Sequence, residues 1–178
     1  MHKAIFLDRD GTIIVDKVYL NDPDQIEFLP NAIEGLKLFR DMGFKIYVVT
    51  NQSGVPRGKV TIPNLNEIHR RMSVECEKHG ITIERFYYAP YMTDSNHHMR
   101  KPNPGMLEEA HKDFGVDFKK SWIIGDKMLD VEAGHRAGTR SILLKTSGED
   151  PEKSDFAPPE YIANDLLDSA QFIKASVL

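Results

Sequence analysis

Asp8 and Asp10 stand two residues apart at the end of a short apolar run, Ala4–Leu7, and Gly11 and Thr12 follow at once. Such a run reads as a buried strand. A buried strand that ends on paired negative charge needs a counter-charge, and a divalent cation bound through carboxylate oxygens is the usual remedy. Carboxylates gathered on a hard cation suit chemistry at phosphorus. The opening segment therefore points to metal-dependent phosphoryl transfer.

Three later segments carry polar groups of matching kind. They are Thr50–Asn51–Gln52–Ser53, Arg100–Lys101–Pro102, and Gly125–Asp126–Lys127 with Asp130 close behind. The elements between them decide whether these groups can meet. Apolar patterning predicts strands over 3–8, 44–50, 83–89, 122–125 and 141–145, and helices over 31–42, 64–79, 104–114, 128–137 and 165–175. Gly43 and Gly80 supply helix stops, and 148–159 reads as a surface loop. Strands alternating with helices imply an α/β fold, a parallel sheet covered on both faces through right-handed crossovers.

In such a sheet, ligands bind at the carboxyl ends of the strands. Asp8, Thr50–Asn51 and Asp126 all fall at predicted strand ends, and Lys101 lies in the loop before the helix at 104. Each group alone has a plainer explanation. Asp-Gly is a common turn pair, a loop lysine is usually solvated, and Asp126 and Asp130 suit a helix N-terminus. Their convergence decides for a functional site. His69, His79, His111 and His135 sit in helical patterns that surface or core packing explains better.

Composition frames the chain as one domain over 1–178, large enough for a core without staples. Hydrophobic residues make up 40%, charged residues 28%, and the formal net charge is -4. No basic run suggests nucleic acid or a membrane surface, and no segment reads as a signal peptide or a span. The lone Cys76 has no internal partner, which fits a reducing compartment, so a cytoplasmic location is expected, and a compact single domain favours a monomer.

The four motifs, in order, resemble the haloacid dehalogenase-like phosphatase superfamily: Asp8–Arg9–Asp10–Gly11–Thr12, Thr50–Asn51–Gln52–Ser53, Arg100–Lys101–Pro102 and Gly125–Asp126–Lys127–Met128–Leu129–Asp130. That resemblance covers nearly the whole chain and implies a three-layer α/β/α, Rossmann-like fold. The gaps between motifs are too short for an added cap domain, which independently supports the capless branch. This branch holds the heptose-bisphosphate and histidinol-phosphate phosphatases. The stretches from Thr50 to Lys59 and from Arg100 to Met106 look most like the former. A catalytically silent phosphosugar-binding domain and a phosphotransferase are the rival readings.

The resemblance implies Asp8 as nucleophile, Asp10 as acid and base, and Thr50 and Lys101 as holders of the phosphoryl oxygens. Magnesium would be held by Asp8, the Asp10 carbonyl and Asp126, with Asp130 orienting the metal shell. A small phosphorylated metabolite would be gripped by Asp16, Lys17, Val18, Tyr19, Asn51, Gln52, Ser53, Arg57, Arg100 and Lys127, with the loops at 16–27 and 89–103 selecting it. Lys59 is expected on the rim. Many heptose-bisphosphate phosphatases also carry a zinc-binding Cys-x-His and Cys-x-Cys set in the second loop. Here Ala89–Pro90–Tyr91 and His97–His98–Met99 stand in its place, so structural zinc is not expected.

Overall fold

The computed structural model describes residues 1–177. Six parallel strands form one sheet in the order β3-β2-β1-β4-β5-β6. They span β1 Ala4–Leu7, β2 Lys45–Asn51, β3 Ile83–Ala89, β4 Trp122–Gly125, β5 Arg140–Leu144 and β6 Tyr161–Ala163. Five helices connect or follow them: α1 Ala32–Asp41, α2 Ile62–Glu77, α3 Gly105–Phe114, α4 Met128–Ala137 and α5 Leu166–Ser176.

Strand periodicity splits the core in two. Ile5 and Leu7 of β1, with Ile46 and Val48 of β2, pack under α1, α2 and α5. Their neighbours Ala4, Phe6, Tyr47 and Val49 face α3 and α4. A parallel strand buried on both faces has to be apolar throughout, which is why β1 reads as an unbroken run. The three-layer α/β/α arrangement with a parallel sheet is the expected one.

Chain order reverses direction across the sheet at β1, with β2 on one side and β4 on the other. Loops leaving β1 and β4 diverge there and open a crevice at the carboxyl edge. No helix among the described residues is long and apolar enough to cross a membrane.

Two features depart from the sequence-based expectation. The sixth strand, Tyr161–Ala163, is three residues long with only Ala163 buried, so it lacks a legible period. Helix α2 starts at Ile62, two residues early, because the Thr61 hydroxyl caps the Asn64 N–H and Pro63 fits the first turn.

Helices α1 and α5 meet at Gly35. A Cβ there would fall 2.5 Å from the Leu166 carbonyl carbon and 2.7 Å from its oxygen. Alanine at a helical glycine gains about 1 kcal/mol of propensity, whereas over-packing against backbone costs about 1–3 kcal/mol. Gly35→Ala should therefore lower the urea midpoint, with a net loss of about 1 kcal/mol. A raised midpoint would mean that α1 and α5 separate at almost no cost.

Candidate active site

Asp8 follows directly on β1, and its amide still donates to the Ile124 carbonyl of β4 at 3.1 Å. The chain then turns sharply, with the Thr12, Ile13 and Ile14 amides all donating to the Arg9 carbonyl. Gly11 makes the turn possible at φ +82. A Cβ on it would lie 2.2 Å from Asp126 Oδ2, so only glycine lets β1's loop approach β4's carboxylate.

Lys101 is the centre of the cluster. Its side chain is 1% exposed, yet its ammonium has three acceptors: Asp8 Oδ1 at 3.0 Å, Asp130 Oδ1 at 2.6 Å and the Val49 carbonyl at 2.7 Å. These use all three of its N–H groups. Burial disfavours the charge, but Asp130 and Asp8 outweigh it and raise the lysine's pKa. Asn51 anchors the same residue's backbone, donating to the Lys101 carbonyl at 3.1 Å and accepting from its amide at 3.0 Å.

Carboxylate oxygens of Asp8, Asp126 and Asp130 lie within 4.8 Å of one another. Burial and the charge of Asp8 push both Asp126 and Asp130 above the ordinary carboxylate range. Asp130 has both oxygens engaged, one by Lys101 and the other by the Lys127 amide at 3.1 Å, so it braces the lysine and the start of α4. Asp126 differs. Its Oδ1 is buried and has no hydrogen-bond partner. An unpartnered carboxylate oxygen beside a second carboxylate is the donor set a hard divalent cation takes. The residues present fit magnesium, with Asp8 and Asp126 as side-chain ligands.

Asp10 is gripped from behind. Arg9 donates to it through Nε at 3.2 Å and through one terminal nitrogen at 3.1 and 3.0 Å, while Gln52 donates at 3.2 Å. Burial raises the pKa of Asp10, and Arg9 works against that rise. The other terminal nitrogen of Arg9 lies 3.0 Å from His69 Nε2. His69 stacks on Phe86 at 4.4 Å, and burial together with Arg9 pushes its pKa down to about 3.

A cavity of about 340 Å³ opens above this cluster, lined by Asp8, Asp10, Asp16, Val18, Asn51, Ser53, Thr93, Arg100, Lys101, Lys127 and Leu129. A smaller recess continues past Thr93, Arg100 and Leu129 toward Asp94 and Asn96. Arg100 lines the cavity, and one of its terminal nitrogens is buried without a partner.

Several expected contacts lie elsewhere. Thr50 is fully buried, its hydroxyl accepting from Gln52 at 2.9 Å, while Ser53 lines the wall. Gln52 likewise turns inward to Asp10 and Thr50. Lys17 leans to Glu27 at 3.5 Å, and Tyr19 packs beside Gly54. Arg57 reaches Thr93 at 3.4 Å from outside the wall, and Lys59 is exposed on its loop. Thr93 and Leu129 are wall residues that the motifs did not single out. Leu129 sits inside the Gly125–Asp130 motif, which was its only signal.

The 89–103 loop is held by stacked rings. Tyr91 lies on His97 at 3.6 Å between centroids, and His97 on His98 at 4.6 Å. Asn103 ties the turn by donating to the Asn96 and His97 carbonyls.

A family model described as "HAD-hyrolase-like" matches residues 98–169. Over 98% of both chains, the sequence is 33% identical to a D-glycero-beta-D-manno-heptose-1,7-bisphosphate 7-phosphatase of Pasteurella multocida. It is 34% identical to the corresponding protein of Escherichia coli K12, over 96% of this chain and 93% of that one. A D,D-heptose 1,7-bisphosphate phosphatase from B. bronchiseptica, solved with magnesium and phosphate, superposes with a TM-score of 0.89. That pair is 26% identical and covers 98% of this chain and 99% of the other.

The depressed pKa of His69 carries a pH signature. Its ordinary value is 6.5 and its folded value about 3, so below 6.5 the unfolded chain binds a proton that the fold refuses. Stability at this site is complete above 6.5 and is lost as pH falls toward the folded value. Between neutrality and about pH 5 the loss is about 2 kcal/mol. Urea unfolding of metal-free protein should show a smaller acid loss in His69→Gln than in wild type. Equal losses would contradict a neutral, buried His69.

Proposed function

Because the chain belongs to the haloacid dehalogenase-like phosphatase family, we propose that it removes the 7-phosphate of D-glycero-D-manno-heptose 1,7-bisphosphate as a magnesium-dependent hydrolase. The observation that carries this reading is the Asp8 carboxylate, fixed by Lys101 and facing a cavity walled by Arg100 and Lys127. A phosphate monoester is extremely inert in water, so several sources of barrier lowering must combine.

Asp8 attacks phosphorus in line and forms an aspartyl-phosphate as the bond to the sugar oxygen breaks. Asp10 gives that oxygen a proton as it leaves. It then takes a proton from the water that attacks the aspartyl-phosphate, releasing inorganic phosphate and restoring Asp8. Lys101, unable to move, offsets charge at the nucleophile without reorganising. A bound magnesium ion supplies positive charge that offsets the repulsion between Asp8 and the phosphate. Asp8, Asp126 and the Asp10 carbonyl would hold it.

The second phosphate is the natural partner for the guanidinium of Arg100, which lines the cavity with no carboxylate paired to it among the described residues. Arg57 adds charge near enough to depress the arginine's pKa after burial has done so. The names of the relatives support the heptose as the carbon skeleton. We propose in addition that the 89–103 loop keeps its shape without zinc, since the Tyr91–His97–His98 stack braces it and no cysteine lies within it to supply a thiolate. All of the chemistry rests in one domain.

Asp8→Asn should cut turnover by about a thousandfold or more, because an amide is neither nucleophile nor anionic ligand. Removing magnesium with a chelator should silence the wild type, and adding it back should restore it. Survival of more than a few per cent of turnover in Asp8→Asn would sink the mechanism.

Arg100→Ala should raise KM for heptose 1,7-bisphosphate by about tenfold, the worth of one charge-assisted contact. Its effect on heptose 7-phosphate should be small. Steady-state kinetics over both anomers of the bisphosphate, fructose 1,6-bisphosphate and histidinol phosphate would decide the substrate. A preference for histidinol phosphate would overturn the heptose assignment and leave the phosphatase assignment standing.

A further inference from the structure

Arg9 has the largest fully buried side chain in the protein. Burying a guanidinium costs several kcal/mol unless its N–H groups are met. Here one edge, formed by Nε and a terminal nitrogen, lies flat against the Asp10 carboxylate, and the opposite corner meets His69. Nothing about the fold alone demands such an arrangement, since an apolar residue could fill the same interior volume. Neither Arg9 nor His69 lines the cavity.

His69 can play only one part at that corner. An arginine has no lone pair to offer, so the contact requires Nε2 of the ring to accept. The ring is therefore neutral, with its proton on Nδ1. Its plane is fixed by the stack on Phe86, the two rings lying 13° from parallel. A fixed acceptor stops the guanidinium from turning about its own axis. The edge facing Asp10 then has one orientation, and with Gln52 on the second oxygen so has the carboxylate.

We infer that Arg9 and His69 form a buried positioning pair that aims the Asp10 carboxylate at the leaving oxygen of the substrate. The inference rests on the reading of Asp10 as the proton donor in the first half-reaction. Misplacement of such a group by about an ångström costs up to about a hundredfold in rate. That loss appears only where a proton must be delivered. An alkoxide leaving group needs the proton, whereas 2,4-dinitrophenolate departs readily without one.

The experiment compares kcat/KM for a sugar phosphate and for 2,4-dinitrophenyl phosphate in wild type, His69→Leu, His69→Gln and Arg9→Lys, with folding checked by thermal unfolding. His69→Leu removes the acceptor, and Arg9→Lys removes the flat edge. Each should lose about tenfold or more on the sugar phosphate and less than about threefold on the aryl ester. His69→Gln keeps an acceptor and should stay within about threefold of wild type on both. Arg9→Lys carries the comparison if His69→Leu does not fold. Equal losses on the two esters, or no loss on either, would overturn the positioning role. A wild type inert toward both would overturn the phosphatase reading itself and this inference with it.

Discussion

A buried ammonium binds together segments that lie far apart along the chain. Lys101 touches Asp8 after β1, the Val49 carbonyl within β2 and Asp130 at the start of α4. Each of those contacts would be weak at the surface, where water and salt screen them. Inside, the balance is different. Removing one partner from a buried cluster strands the others and costs about 3–5 kcal/mol. The loop that carries Lys101 is thus locked to the sheet edge, and Asn51 repeats the lock on its backbone.

This arrangement leaves charge over. Three carboxylates cluster beside one ammonium, and burial together with the charge of Asp8 pushes Asp126 and Asp130 toward holding protons. A divalent cation held by Asp8 and Asp126 would resolve that conflict without disturbing Lys101 or Asp130, whose donors and acceptors are already paired. The cavity wall leans the other way, with Arg100 and Lys127 lining it against the single carboxylate of Asp16. Negative floor and positive wall together suit a cation below and a multiply charged anion above.

Rigidity is distributed unevenly around the cavity. The floor is built from strand ends and buried ion pairs. Its rim is built from surface loops held by local devices: an Asx turn in which Asp16 accepts from the Val18 amide at 2.8 Å, and stacked rings at Tyr91, His97 and His98. Such loops are free to vary while the floor is not, which is how one reaction centre comes to serve different phosphate esters.

Much of this was legible in one dimension. An apolar run ending in Asp8 and Asp10, β-branched β2 ending at Asn51, and a Gly-Asp step after β4 fix strand ends, and parallel topology sends strand ends to a common edge. The chemistry of the floor follows from residue types alone. What sequence could not settle is where each side chain points within its motif. Thr50 and Gln52 face inward and Asn51 and Ser53 reach the wall region because the strand's alternation runs into a turn whose geometry is set by β3 and by the Lys101 loop. Strand β6 was invisible because three residues at a sheet edge bury too little to impose a period. His69, taken for simple packing, meets Arg9 across sixty positions of chain. Local pattern encodes which residues are buried and which elements form. Only the folded sheet decides which distant polar groups become each other's partners, because that choice is made by burial, where an unmet charge cannot be left to water.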